Sequence, residues 1–219
     1  MAYTFSRAAI RYLRTTAPVT ATPLTISAWS YPTAAPGGYT PRCSLITLED
    51  SATDNRFELS WNSFANNRAV ATVSGPVPGG GVTSGTAVSG AVTLNTWQHL
   101  AAVFVGRFER YAYFNGLVSA PGTNGLVPAG IDRLLIGTST PGTTDSQHIG
   151  RIAEVGIWNA ALTSAEIISL YAGMSPELVR PQSLVFYAPL IRDLHDKVGG
   201  RVITNVNSAS ISDHSRIYT

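Results

Sequence analysis

The stretch from Trp97 to Gly116, WQHLAAVFVGRFERYAYFNG, decides how the rest of the chain is read. Two apolar runs, WQHLAAVFV and ERYAYF, are parted by Gly106, Arg107 and Phe108, and Asn115-Gly116 closes the second. Asn-Gly suits a type I′ hairpin turn, because both central residues of that turn need φ > 0. The stretch therefore predicts strand, turn, strand, turn. The competing reading is a catalytic segment centred on His99. A general base needs a partner within hydrogen-bond reach, and no acid, serine or cysteine adjoins His99 in the sequence. His99 is accordingly read as a structural histidine, and Trp97, Phe104, Tyr111 and Tyr113 as packing aromatics.

The same signature recurs on both sides. LTISAWSY (24–31), CSLITLE (43–49), RFELSW (56–61), NRAVATVSG (67–75), RLLIGTS (133–139) and GRIAEVGIWN (150–159) are short apolar runs bounded by turn residues, the pattern of strands. GPVPGGGVTSG (75–85) is expected to be a loop, given its glycines and prolines. One helix interrupts the series, near residues 163–172. Thr163 and Glu166 form a capping box, Leu162 and Ile167 a hydrophobic staple, and Gly173 with Pro176 ends it. Ile167, Leu170 and Tyr171 make its apolar face. Many strands and one short helix argue for an all-β sandwich or jelly roll. Its core is expected to include Trp97, Phe104, Tyr113, Ile136, Ile152 and Trp158 as inward-facing residues.

Composition narrows function. Of 219 residues, 44% are hydrophobic and 13% charged, with a net charge of +2. The charged share is about half that of an average soluble domain. No basic stripe suggests a nucleic-acid partner, no run is long enough for a membrane helix, and the N-terminus lacks the apolar core of a secretory leader. The one cysteine, Cys43, reads as a small buried side chain. Glycoside hydrolysis needs two carboxylates at a set separation. Glu49 and Asp50 are adjacent and point to opposite strand faces, while Glu58, Glu109 and Glu154 stand alone. There is no nucleophile elbow, P-loop or Cys/His metal spacing. The expectation is a non-enzymatic protein with no catalytic residues and no cofactor. Asp50, Asp54, Asp132 and Asp145 are scattered among turns, and calcium is the one cation they leave open.

The segments TISAWSYPT, LNTWQHLAAVF, YAYFNGLV, LLIGTS and GRIAEVGIWNAALTSAEIISLY together resemble, in order, the signature segments of laminin-G-like, concanavalin-A-like domains. The resemblance spans residues 10 to 172 and implies two packed antiparallel sheets. Ala153 and Gly156 stand where that family often carries Asp and Arg, so a calcium site of the usual kind is not implied.

The chain is read as a jelly roll over 1–173 and a C-terminal extension over 174–219. Within that extension, QSLVFYAPLIRDLHDKVGGRVITNVNSASISDH (182–214) resembles the segment that usually opens such domains. It is expected either to fill those sheet positions from the other end or to donate a strand to a neighbouring subunit. Two functions fit. The favoured one is a structural protein of a virus particle, a bacteriophage capsid decoration or tail-surface protein. It would bind the major capsid protein, as a homo-oligomer, on the virion surface. Its candidate interface is Tyr3, Phe5, Arg7, Arg11, Tyr12 and Arg14, residue types enriched at interfaces. The alternative is a lectin-like module of a secreted or cell-surface protein that binds glycans, including host-surface glycans. Its candidate contacts are Tyr31, Tyr39 and Trp61.

Overall fold

The computed structural model describes residues 2–35, 42–62, 67–77, 80–191 and 194–213, with the backbone alone at 76–77, 80–84 and 87–89. In chain order the strands are β1 (Ala2–Phe5), β2 (Tyr12–Thr16), β3 (Leu24–Pro32), β4 (Arg42–Glu49), β5 (Arg56–Asn62) and β6 (Arg68–Val77). Then come β7 (Gly80–Ala91), β8 (Gln98–Gly106), β9 (Glu109–Phe114), β10 (Leu117–Val118), β11 (Arg133–Ile136) and β12 (Gly150–Trp158). Helix α1 (Ser164–Tyr171) precedes β13 (Leu184–Ala188), β14 (Thr204–Val206) and β15 (Ser210–Ser212).

All ladders are antiparallel, and they form two sheets. Sheet A runs β10-β9-β8-β3-β12-β1-β15, and β13 also pairs with β12. Sheet B runs β14-β2-β11-β4-β5-β6-β7. Strand β12 is long enough to take two partners on one edge: β1 pairs with Gly150–Ile152 and β13 with Val155–Trp158. The C-terminal residues join both sheets of their own chain, β13 and β15 in sheet A and β14 in sheet B.

Alternation explains the core. Leu24, Ile26 and Ala28 of β3 point inward, as do Leu100, Ala102 and Phe104 of β8 and Leu134 and Ile136 of β11. Phe57 and Phe104 meet edge to face across the sandwich at 5.2 Å. A second apolar cluster lies on the outer face of sheet A. There Ala101, Val103, Tyr113, Trp158 and Tyr187 are covered by Leu162, Ile167 and Leu170 from α1 and its approach. The capping box forms as the sequence predicts, with Thr163 accepting from the Glu166 backbone and Glu166 from that of Thr163. Thr25 fixes the approach to the helix: its Oγ1 donates to Ala160 O and accepts from the Leu162 N–H.

Three expectations are corrected. Tyr113 and Trp158 are buried, but beneath α1 rather than between the sheets. Trp97 is half-buried at the edge of that outer face, against Tyr31. Residues 75–85 are mostly ladder, not loop, since β6 reaches Val77 and β7 starts at Gly80. Beyond Ser74, β6 pairs with β7 alone, so Pro76 needs hydrogen bonds on one side only.

Candidate functional site

The outer face of sheet A answers the question about His99. Its Nε2 lies 2.8 Å from Ser27 Oγ, and the ring is fully buried under the edge of Trp29. Asn115 holds its backbone from both sides, accepting from His99 N–H through Oδ1 and donating its own N–H to His99 O. Asn115 and Gly116 have φ of 47° and 80°, so the turn geometry itself delivers that clamp. Burial holds the imidazole pKa down to about 3. The cavity beside it, lined by Ser27, His99, Glu154 and Leu170, has room for about one water and excludes a substrate. His99 is a structural residue. Around it Trp29 stacks on Tyr171 at 6.4 Å, and the Arg151 guanidinium covers Tyr31 at 4.9 Å.

The outer face of sheet B is polar. Glu58 on β5 is fully buried, with ion pairs to Arg42 at 3.4 Å and Arg56 at 3.3 Å, and it accepts from Ser44 Oγ. On β4, Glu49 accepts from Nε and Nη2 of Arg133 at 2.7 and 2.6 Å. Burial raises the Glu49 pKa, against the pull of Arg133.

A cleft of about 450 Å³ opens at the β14-β2-β11 end of this face. That is within the size range of small-molecule sites. Register builds it: Arg14 of β2 lies opposite Thr204 of β14, and Thr16 lies opposite Arg133 of β11. Arg201 enters from the segment before β14, its Nη1 donating to Asp196 Oδ2 at 3.0 Å and to Val185 O at 3.3 Å. Asp132 completes the lining and accepts from the backbone N–H and hydroxyl of Ser51 at 2.9 and 2.5 Å. Both Glu49 and Asp196 are buried, so they orient their arginines from behind. Such fixed guanidinium forks lose less entropy on binding a ligand.

The candidate interface at the N-terminus does not assemble. Tyr3 and Phe5 point into the core, and Tyr12 is buried opposite Val206. Pairing β1 and β2 within the sandwich consumes their aromatic surface. Arg7 donates to Thr144 O, Arg11 is half-buried, and of the six residues only Arg14 is exposed. Among the lectin candidates, Trp61 is a core residue, Tyr31 is half-buried beneath Arg151, and Tyr39 lies outside the described residues. Cys43 is buried, and its thiol pKa is raised to about 12 by that burial. Among the described residues, no three His, Cys, Asp or Glu side chains are grouped to hold a metal ion. Asp50 and Asp132 flank Ser51, Asp50 accepting from Ala52 and Thr53 of its own turn and Asp132 from Ser51 across the fold. Sequence reasoning missed Arg133, Arg201 and Thr204. Asp132 had been singled out only as a turn aspartate and Arg14 only as an interface candidate, and no local pattern links Arg14 to residues nearly two hundred positions away.

Two packed antiparallel sheets, with a capped helix sealing one outer face and a polar cleft on the other, make a jelly-roll sandwich. The chain belongs to the family described as the concanavalin A-like lectin/glucanases superfamily, which matches residues 9–168. Similar solved structures show the same fold. A Bacteroides ovatus protein ascribed to carbohydrate binding has 16% identity and a TM-score of 0.64 over 93% of this chain, which spans only 57% of its length. A heptameric SAP-like pentraxin from Limulus polyphemus has 15% identity and a TM-score of 0.59, over 92% of this chain and 91% of that one. The CBM40 module of a Ruminococcus gnavus IT-sialidase, solved also with α2,3-sialyllactose, has 16% identity and a TM-score of 0.55 in that complex, over 70% of this chain and 83% of that one. A search of curated proteins returned no match.

Proposed function

We propose that this protein is a non-enzymatic, extracellular glycan-binding module that takes its ligand in the cleft on sheet B. The observation that carries this reading is the cleft itself, where Arg14, Arg133, Arg201 and Asp132 converge with threonine hydroxyls. Few charged and polar groups fixed in one concavity are what orients a small polar ligand. The ligands of the similar CBM40 module support the same class. The cleft holds one carboxylate, Asp132, already engaged by Ser51, whereas glycoside hydrolysis uses two. The virion reading has lost its aromatic anchor, because Tyr3, Phe5 and Tyr12 are buried.

A glycan array probed with the labelled, folded protein tests this reading. Retention of at least one glycan class, abolished by exchanging Arg201 and Arg14 together for glutamine, is the expected result. A folded protein retained by no glycan would end it.

A further inference from the structure

Resting on the glycan-binding reading, we infer that the sugar taken by this cleft carries a carboxylate, and that Arg14 receives it. The argument is a balance of donors and acceptors. A sugar hydroxyl both donates and accepts, so a site for a neutral sugar offers both kinds of partner. Here the lining is weighted to donors. Arg133 spends Nε and Nη2 on Glu49, leaving Nη1. Arg201 spends Nη1 on Asp196 and Val185, leaving Nε and Nη2. The Arg14 guanidinium is exposed and has no partner among the described residues. A carboxylate accepts at both oxygens, donates nothing, and matches the planar fork of a guanidinium.

Charge is layered in the same sense. Glu49 and Asp196 lie buried behind their arginines, while the charged groups lining the cleft are three guanidiniums and one carboxylate, beside the hydroxyls of Thr15, Thr16 and Thr204. That single carboxylate, Asp132, sets the direction of the ligand. It precedes Arg133, which lies opposite Thr16, whereas Arg14 lies two residues earlier on β2 and opposite Thr204. The acid group therefore belongs at the Arg14–Thr204 end, away from Asp132, and a hydroxyl of the sugar donates to Asp132 at the other.

Titration calorimetry with the intact chain decides the matter. The probes are α2,3-sialyllactose and trigalacturonate as acidic sugars, with lactose and carboxyl-reduced trigalacturonate as their neutral counterparts. At least one acidic probe is expected to bind at least tenfold tighter than its neutral counterpart, and to weaken as NaCl rises from 50 to 500 mM. Arg14→Gln is expected to remove that tenfold preference while leaving the melting temperature unchanged. Equal affinity for acidic and neutral sugars, or an acidic preference that survives in Arg14→Gln, overturns the inference and leaves the glycan-binding reading standing. Failure of these probes together with an empty glycan array overturns both.

Discussion

Sheet A and sheet B share one core but carry opposite outer faces. Sheet A covers its outer face with its own chain: α1 and the turns after it bury Tyr113, Trp158 and Tyr187. Trp158 also donates its indole N–H to Val179 O at 2.7 Å, and Gly156 is small because a Cβ there would lie 2.6 Å from the Trp158 ring. Sheet B keeps ion pairs on its outer face, with Glu58 held between Arg42 and Arg56 and Glu49 against Arg133. Buried ion pairs are weak devices for stability, and well-packed apolar residues often serve as well or better. The contrast teaches that sheet A is finished by folding, while sheet B maintains a polar surface that folding alone does not require. The proposed ligand cleft lies on that face.

The largest expected effect is on the sealed face. Trp158→Ala should cost about 3–5 kcal/mol, read as a lowered urea midpoint. An unchanged midpoint would mean that α1 does not seal sheet A. Next comes the polar face, where Glu58→Ala leaves Arg42 and Arg56 without their shared carboxylate. A loss of about 3 kcal/mol is expected by the same measurement, because stranded buried charges are costly. A loss below about 0.5 kcal/mol would instead mark the network as an ordinary surface one.

Acid should weaken the molecule through its buried imidazoles. His99 is held down to about 3 and His148 to about 4, in both cases chiefly by burial. An unfolded histidine titrates near 6.5. Below that value the unfolded chain takes up protons that the folded one refuses. Stability is therefore complete above about pH 6.5 and falls toward pH 4, by about 1.4 kcal/mol per pH unit for each histidine. Denaturation midpoints at pH 7, 6 and 5 give the slope, and His99→Gln should halve the histidine contribution, isolating the part owed to sheet A.

Smaller again is the helix cap. Glu166 accepts from the Thr163 backbone and also from Nε and Nη2 of Arg180, at 2.8 and 2.6 Å. Glu166→Ala should therefore cost about 1–2 kcal/mol and exceed Thr163→Ala, at about 1 kcal/mol. The reverse order would show that Arg180 adds nothing to the seal. The smallest effect belongs to Arg14→Gln, whose stability should stay within about 0.5 kcal/mol of the parent. A large loss there would make Arg14 a structural residue and leave the two faces less different than they look.

The sequence alone determined the central strands, the Asn115-Gly116 turn and the capped helix, although it read the β6–β7 ladder at 75–85 as a loop. Each depends on residues within a few positions of one another: a period-two apolar pattern, a turn needing φ > 0, and Thr163 reaching Glu166. It also pointed to a structural role for His99, whose neighbours in the chain offered no acid or nucleophile. What only the tertiary structure decided depends on register between distant strands. The side of sheet A that Tyr113 and Trp158 face follows from where α1 settles, and an apolar residue reads the same on either covered face. Trp61 resembled a surface aromatic beside a turn, yet strand pairing turns it into the core. The cleft is the extreme case. Arg14, Asp132, Arg133 and Arg201 meet because β14 pairs with β2 and β2 with β11. Backbone hydrogen bonds between remote segments bring those charges together, and no periodicity in the chain encodes that pairing.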